Sequence, residues 1–323
     1  MKNNYKPKPE FVERISKLLN GKDDEKRFWE ISRTGTPHSI RCNTLKISVD
    51  ALVKRLNSKG WKIKQPFSEN PEIMIVGSRL GPGELGKTKE HLLGYYYVQD
   101  ISSMLPMLVL KPKAGEVLLD LCASPGSKTS QAGAMMDNKG TIIANEISLG
   151  RLRILASNLQ RCGVMNAIIT KKEGGNLCEK IKKRSNLRFD KISVDAPCTG
   201  EGTLRKSPKT LLMWNKKMIL NISRIQKRLA ASAFEILKDG GEMIYSTCTL
   251  SPEENEGVVD FLVKELGARV LPIDLDLKTR EGVVEWEGQK FDDSVKNCVR
   301  VYPQDNDTDG FFVARLCRGG LEG

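Results

Sequence analysis

Two cysteines stand in short motifs that suit nucleophilic chemistry: Cys198 in Asp195-Ala-Pro-Cys-Thr-Gly200 and Cys248 in Ser246-Thr-Cys-Thr249. A thiolate is a strong nucleophile once cations or dipoles lower its pKa. Each motif follows a run that reads as a strand, Phe189–Asp195 and Glu242–Ser246, so both sulfurs should emerge at one rim of a sheet. A single cysteine is more often a small buried hydrophobe; two at successive strand ends, both in loops, point to chemistry. A third motif, Asp120-Leu-Cys-Ala-Ser-Pro-Gly-Ser-Lys-Thr129, runs from a strand through a Pro-Gly turn into a helix. Ligands of open parallel sheets bind at the carboxyl ends of strands, where glycine admits the backbone and the helix start offers free N–H groups. Glu146, ending the next strand, is placed to accept hydrogen bonds from ribose hydroxyls, and Glu173, after the third, to meet an adenine amino group. Neither G-x-G-x-x-G nor G-x-x-x-x-G-K occurs, which sets aside dinucleotide and triphosphate binding in favour of a nucleoside.

The elements that must hold these motifs alternate from about residue 113 onward. Strands are predicted at 116–122, 141–146, 166–170, 189–195 and 242–246, with helices over 149–160 and 217–237, the latter ended by Gly240-Gly241. Ser251-Pro252 reads as the cap of a further helix, and Gly310–Leu316 as a last strand at or near a sheet edge. Such alternation argues for a mostly parallel sheet covered by helices on both faces. The first 112 residues differ: a helix from Pro9 to Leu19, a strand over 39–46, a helix over 49–57 and a strand over 60–64 suggest a small α+β module.

Composition narrows the partners. The chain has 323 residues and a net charge of +12, and it shows no apolar run long enough for a membrane span. Its start, Met1-Lys2-Asn3-Asn4-Tyr5, lacks an apolar signal core, so a cytoplasmic protein with reduced thiols is expected. Only two histidines occur, His38 and His91, and the eight cysteines form no C-x-x-C pair, so neither a Ser-His-Asp site nor a metal site is expected. The charge is uneven. Residues 1–112 carry +8 (20 basic, 12 acidic) and 113–150 carry −1 (3 and 4). Residues 151–228 carry +14 (19 and 5), and 229–323 carry −9 (10 and 19). Nucleic acid should therefore lie across the first module and the middle segment.

In that order, Cys-Ala-Ser-Pro-Gly-Ser-Lys-Thr, Asp-Ala-Pro-Cys-Thr-Gly and Ser-Thr-Cys-Thr closely resemble the Sun (Fmu) family of RNA cytosine-C5 methyltransferases, in an archaeal-type tRNA/rRNA form. The likeness extends to Ser39–Leu45 and Gly94–Ser103, which look like the family's N-terminal RNA-binding module, and to Asp309–Arg315, which looks like its last strand. The resemblance implies a Rossmann-like methyltransferase domain over 113–323, preceded by an α+β RNA-binding module over 1–112. It implies S-adenosyl-L-methionine as cofactor and RNA as substrate, tRNA favoured and rRNA possible, in a monomer without metal or membrane. The preference for tRNA rests on the compact chain, with no further RNA module past about residue 316.

By position, Cys248 matches the family nucleophile, Cys198 the cysteine that assists release, Asp195 the carboxylate at the base, and Lys128 the lysine near the reacting groups. Cys122, Ala123, Ser124, Pro125, Gly126, Ser127, Lys128, Glu146, Glu173 and Asp195 match cofactor-contacting positions, with Arg151 beside them. Two departures stand out: Ser127 replaces the second glycine of Pro-Gly-Gly-Lys, and Glu173 replaces an aspartate. Arg41, Arg205, Lys206 and Lys209 are the expected RNA contacts. Tyr95-Tyr-Tyr97 suits base stacking or, more commonly, packing. Two rivals remain. DNA cytosine methylation would use the Pro-Cys cysteine as attacker, and an idle RNA-binding assembly factor would not need both cysteines.

Overall fold

The computed structural model describes residues 6–78, 80–81 and 83–319. Its first elements are helices α1 (Pro9–Leu18) and α2 (Lys22–Ile31), strand β1 (His38–Cys42), helix α3 (Val49–Asn57), and strands β2 (Ile63–Lys64), β3 (Ile73–Val76) and β4 (Tyr96–Val98). The four strands form an antiparallel sheet in the order β2-β3-β1-β4. Ser48 caps α3 by accepting from the Ala51 N–H, and Leu52 and Leu56 bury the helix against Ile40, Met74 and Tyr96 of the sheet. The α+β module expected from the sequence is present, with α2, β3 and β4 beyond the elements expected. Helices α1 and α2 pack elsewhere: Phe11, Ile15 and Phe28 join Leu204, Trp214 and Tyr302 of the second half.

Helix α4 (Ile101–Leu110) leads into the large sheet. There follow β5 (Val117–Asp120), α5 (Ser127–Met135), β6 (Thr141–Asn145), α6 (Leu149–Cys162), β7 (Ala167–Thr170), α7 (Gly174–Arg184), β8 (Phe189–Asp195), α8 (Lys216–Phe234), β9 (Leu237–Thr247) and α9 (Glu256–Leu266). Short strands β10 (Arg269–Leu271), β11 (Arg280–Glu281), the hairpin β12 (Glu285–Trp286) and β13 (Gln289–Lys290), β14 (Val299–Val301) and β15 (Phe311–Cys317) complete the chain. The sheet order is β11-β14-β15-β9-β8-β5-β6-β7, with β5 to β9 parallel. Apolar residues of α7, α8 and α9 fill one face, and those of α4 and α5 the other. This is the expected Rossmann-like α/β architecture. Chain order reverses between β5 and β8, which is where such sheets bind ligands.

As expected, β15 lies near an edge, pairing with β9 on one side and with the short β10 and β14 on the other. Two expectations change. Gly240-Gly241 do not end a helix. α8 stops at Phe234, and residues 238–241 bulge out of β9 between the Phe189–Leu237 and Lys191–Glu242 pairs. Ser251 does not cap α9, which begins at Glu256, because Glu254 and Asn255 are engaged elsewhere. Among the described residues no helix is long and apolar enough to cross a membrane.

Candidate active site

The turn after β5 is shaped by Gly126, whose φ of 101° suits glycine and where a Cβ would press on Leu155 at 3.1 Å. That turn delivers Lys128 into the first turn of α5. Its Nζ donates to Asp195 Oδ2 at 2.7 Å and to Ser103 Oγ at 3.2 Å, and lies 5.6 Å from the centre of the Phe311 ring. Asp195, at the end of β8, also accepts from Ser246 Oγ at 2.9 Å. β5, β8 and β9 thus converge on one carboxylate.

Beside it, the Cys198 and Cys248 sulfurs are 3.2 Å apart, within reach of an S–H···S contact. The hydrogen bond to Cys248, burial, and the charges of Cys248 and Glu254 push the Cys198 thiol well above the ordinary thiol range. The Cys198 thiol is therefore held in its protonated form. A cavity of about 350 Å³ opens here, walled by the Cys122–Lys128 turn, Asp195, Cys248 and Phe311 on one side and by Asp100 and Lys206 on the other.

The cofactor positions divide. Ala123, Ser124, Pro125 and Ser127 line the cavity with Cys122 and Lys128. Glu146 is buried at the end of β6, accepts from the Ser148 N–H at 2.8 Å and faces Arg151 at 3.5 Å. Arg151 in turn donates to the Ser124 carbonyl at 2.9 Å. A bare backbone turn beside a buried carboxylate fits a nucleoside cofactor. Glu173 is placed differently: its carboxylate caps α7, accepting from the N–H groups of Gly175 (3.1 Å) and Asn176 (2.7 Å), outside the cavity wall.

Two of the four expected RNA contacts lie inside the protein. The Arg41 guanidinium is buried and donates to Gln99, the Ser127 carbonyl (2.9 Å) and Ser130 Oγ (2.8 Å), fastening the first module to α5. Arg205 donates to the carbonyls of Gly35 (2.6 Å) and Thr308 (3.0 Å) and to Asp307 (2.6 Å), joining two distant loops. Lys206 reaches into the cavity mouth, bonded to Asp100 at 2.8 Å and Asp309 at 2.7 Å. Lys209 is exposed, as are Lys217, Arg224 and Arg228 along one face of α8. Tyr96 and Tyr97 are packed, not offered to bases. Ser103, Phe311 and Glu254 were given no role from sequence, since each reaches the site only through the fold; Ser246 stood in the Cys248 motif, but its bond to Asp195 follows from the pairing of β8 and β9.

Two family profiles match successive parts of the chain. A family profile described as 16S rRNA methyltransferase RsmB/F matches residues 107–317, and one described as the N-terminal domain of 16S rRNA methyltransferase RsmF matches residues 8–101. A Pyrococcus abyssi protein named tRNA (cytosine(49)-C(5))-methyltransferase is 41% identical over 305 residues, covering 94% of each chain. A Vibrio parahaemolyticus ribosomal RNA small subunit methyltransferase F is 36% identical over 95% of this chain, which spans 62% of that protein's length. A solved methyltransferase homolog from Pyrococcus horikoshii superposes with a TM-score of 0.80 at 34% identity, covering 96% of this chain and 99% of its own. NSun6 from Pyrococcus horikoshii, solved with SFG, gives a TM-score of 0.82 at 25% identity, covering 97% and 98%.

Proposed function

Because the chain belongs to the RsmB/F family of S-adenosylmethionine-dependent RNA methyltransferases, we propose that it methylates carbon 5 of cytosine in structured RNA, tRNA foremost, through a covalent bond between Cys248 and carbon 6. One observation carries this reading: the 3.2 Å approach of Cys198 to Cys248 beside the Lys128–Asp195 pair.

Carbon 5 of cytosine is a poor nucleophile. When the Cys248 sulfur adds to carbon 6, an S–C bond forms, the ring electrons shift towards N3, and carbon 5 becomes enamine-like. The target base must first leave its stack to enter the cavity. Asp195, steadied by Ser246, holds the Lys128 ammonium beside the base edge, where its positive charge meets the negative charge that grows at N3. S-adenosylmethionine, when bound, supplies an electrophilic methyl group; the Cys122–Lys128 turn, Glu146 and Arg151 would hold it. Once the Cys248 sulfur is bonded to carbon, its negative charge no longer suppresses ionisation of Cys198. Cys198 can then release its thiol proton to solvent; the resulting thiolate takes the carbon-5 proton, the C5–H pair re-forms the C5=C6 double bond, and Cys248 leaves as a thiolate.

The 41% identity to the Pyrococcus abyssi tRNA enzyme over 94% of both chains supports tRNA as the target. The exposed Lys209 and the basic face of α8 support an RNA path past the cysteines. The enzyme would act in the cytoplasm as a monomer. Tritiated methyl transfer to tRNA, rRNA and DNA tests the reading. RNA should be labelled, Cys248→Ala should abolish the label, and Cys198→Ala should stall as a covalent RNA adduct. Label that survives Cys248→Ala overturns the mechanism, and label on DNA alone overturns the substrate. Bisulfite sequencing of RNA from a strain lacking the gene locates the cytosine.

A further inference from the structure

Glu254 is a buried carboxylate that the reaction above does not use. It sits beneath both cysteine loops. Its Oε2 accepts from the backbone N–H of Thr199 at 3.0 Å and from Gln226 Nε2 on α8 at 2.9 Å. Its Oε1 accepts from the Thr199 hydroxyl, which is itself 2.8 Å from the Thr249 hydroxyl. Thr199 directly follows Cys198, and Thr249 directly follows Cys248. The same Gln226 amide also donates to the Pro197 carbonyl at 2.9 Å, so the Cys198 loop is gripped on both sides of the cysteine.

We propose that Glu254 is a positioning residue: its carboxylate clamps the Cys198 loop to the Cys248 loop and so sets the sulfur–sulfur approach on which attack and release depend. The proposal rests on the Cys248 and Cys198 roles given above. The titratable groups around Glu254 are the Cys198 thiol, the Glu201 carboxyl and the Tyr245 phenol, which donates to the Glu254 carbonyl. No cation lies in direct contact with it among the described residues, so hydrogen bonds alone hold it, and burial lifts its carboxyl to about 7. Glutamine at this position keeps an acceptor for the Thr199 N–H, and the Thr199 hydroxyl can turn to Thr249. Alanine leaves the Thr199 N–H and the Gln226 amide without their acceptor.

Two readouts test the clamp. The first needs no RNA: diamide oxidation of the full chain, with the Cys198–Cys248 disulfide followed by peptide mass spectrometry. Glu254→Ala should slow disulfide formation about tenfold, and Glu254→Gln should restore it to within about threefold. The second is methyl transfer, in which Glu254→Ala should lower kcat about tenfold with KM for S-adenosylmethionine within about twofold, again rescued by Glu254→Gln. Should Glu254→Ala fail to fold, Thr199→Val removes the hydroxyl bridge alone and should slow the disulfide about threefold. Unchanged oxidation rates in the folded variants overturn the clamp. Slowed oxidation in a protein that methylates no RNA leaves the clamp standing and sinks the proposed reaction instead.

Discussion

Arg205 and Lys209 lie in one basic loop, yet the structure gives them opposite tasks, and a paired substitution separates these. Arg205→Ala removes a guanidinium whose side chain is 1% exposed and which holds the carbonyls of Thr34, Gly35 and Thr308 and the Thr34 hydroxyl. The partner Asp307 is 59% exposed, so that ion pair adds little. Charge-assisted bonds are worth about 1.5 kcal/mol each and are not additive, so the four together come to about 4 kcal/mol. Unfolding entropy near 2.1 cal/mol/K per residue gives about 0.7 kcal/mol/K for 323 residues, so Tm should fall by about 6 °C. A phosphate contact would instead show in the salt dependence of RNA binding, where each one contributes about 0.7–0.9 to the slope of log K against log salt. Calorimetry with filter binding between about 50 and 200 mM salt reads both. Arg205→Ala should lower Tm and leave the slope unchanged; Lys209→Ala should leave Tm unchanged and reduce the slope by about one contact. A reduced slope with unchanged Tm in Arg205→Ala would refute the structural assignment.

Burial pushes the Asp120 carboxyl up to about 6. The folded state then holds a proton that the unfolded chain releases near pH 4, so this group costs stability as pH rises from about 4 to about 6. Asp120→Asn should gain about 2–3 kcal/mol at pH 7 and nothing below pH 4, measured by denaturant titration at both. At Gly202 a Cβ would stand 2.2 Å from the Gly310 carbonyl oxygen and 2.8 Å from that of Cys248. Gly202→Ala should displace the Cys248 loop and lower methyl transfer by about 100-fold; a rate near wild type would show that this contact does not place the nucleophile.

How much of this was legible follows from where each signal resides. The strands 141–145, 167–170 and 189–195 carry their patterns locally, and the expected ranges match within a residue or two. The cysteine pair was legible because both motifs end adjacent parallel strands, β8 and β9. The task of an arginine was not. Arg41 and Arg205 look like surface charges in one dimension, and only the chain's return of Ser127, Gly35 and Thr308 to their neighbourhoods turns them inward. The start of α9 was hidden likewise: Ser251-Pro252 has cap composition, but its hydroxyl is taken by Glu201 at 2.8 Å. For β15 the sequence left edge and near-edge open, because its apolar run suits both and the strands that cover its far side are three residues each.

The place of β15 beside β9 has a consequence for timing. The strand that carries Cys248 to the rim finds its antiparallel neighbour only in residues 312–317, and the loop behind Cys198 is seated by a Gly310 N–H that donates to the Gly202 carbonyl at 2.8 Å. A chain emerging from the ribosome has exposed both cysteines long before that strand exists. Throughout that interval it is surrounded by RNA, and its reactive sulfurs are not yet assembled. The two cysteine loops thus take their final places only once residues 310–317 have paired with β9 and met Gly202.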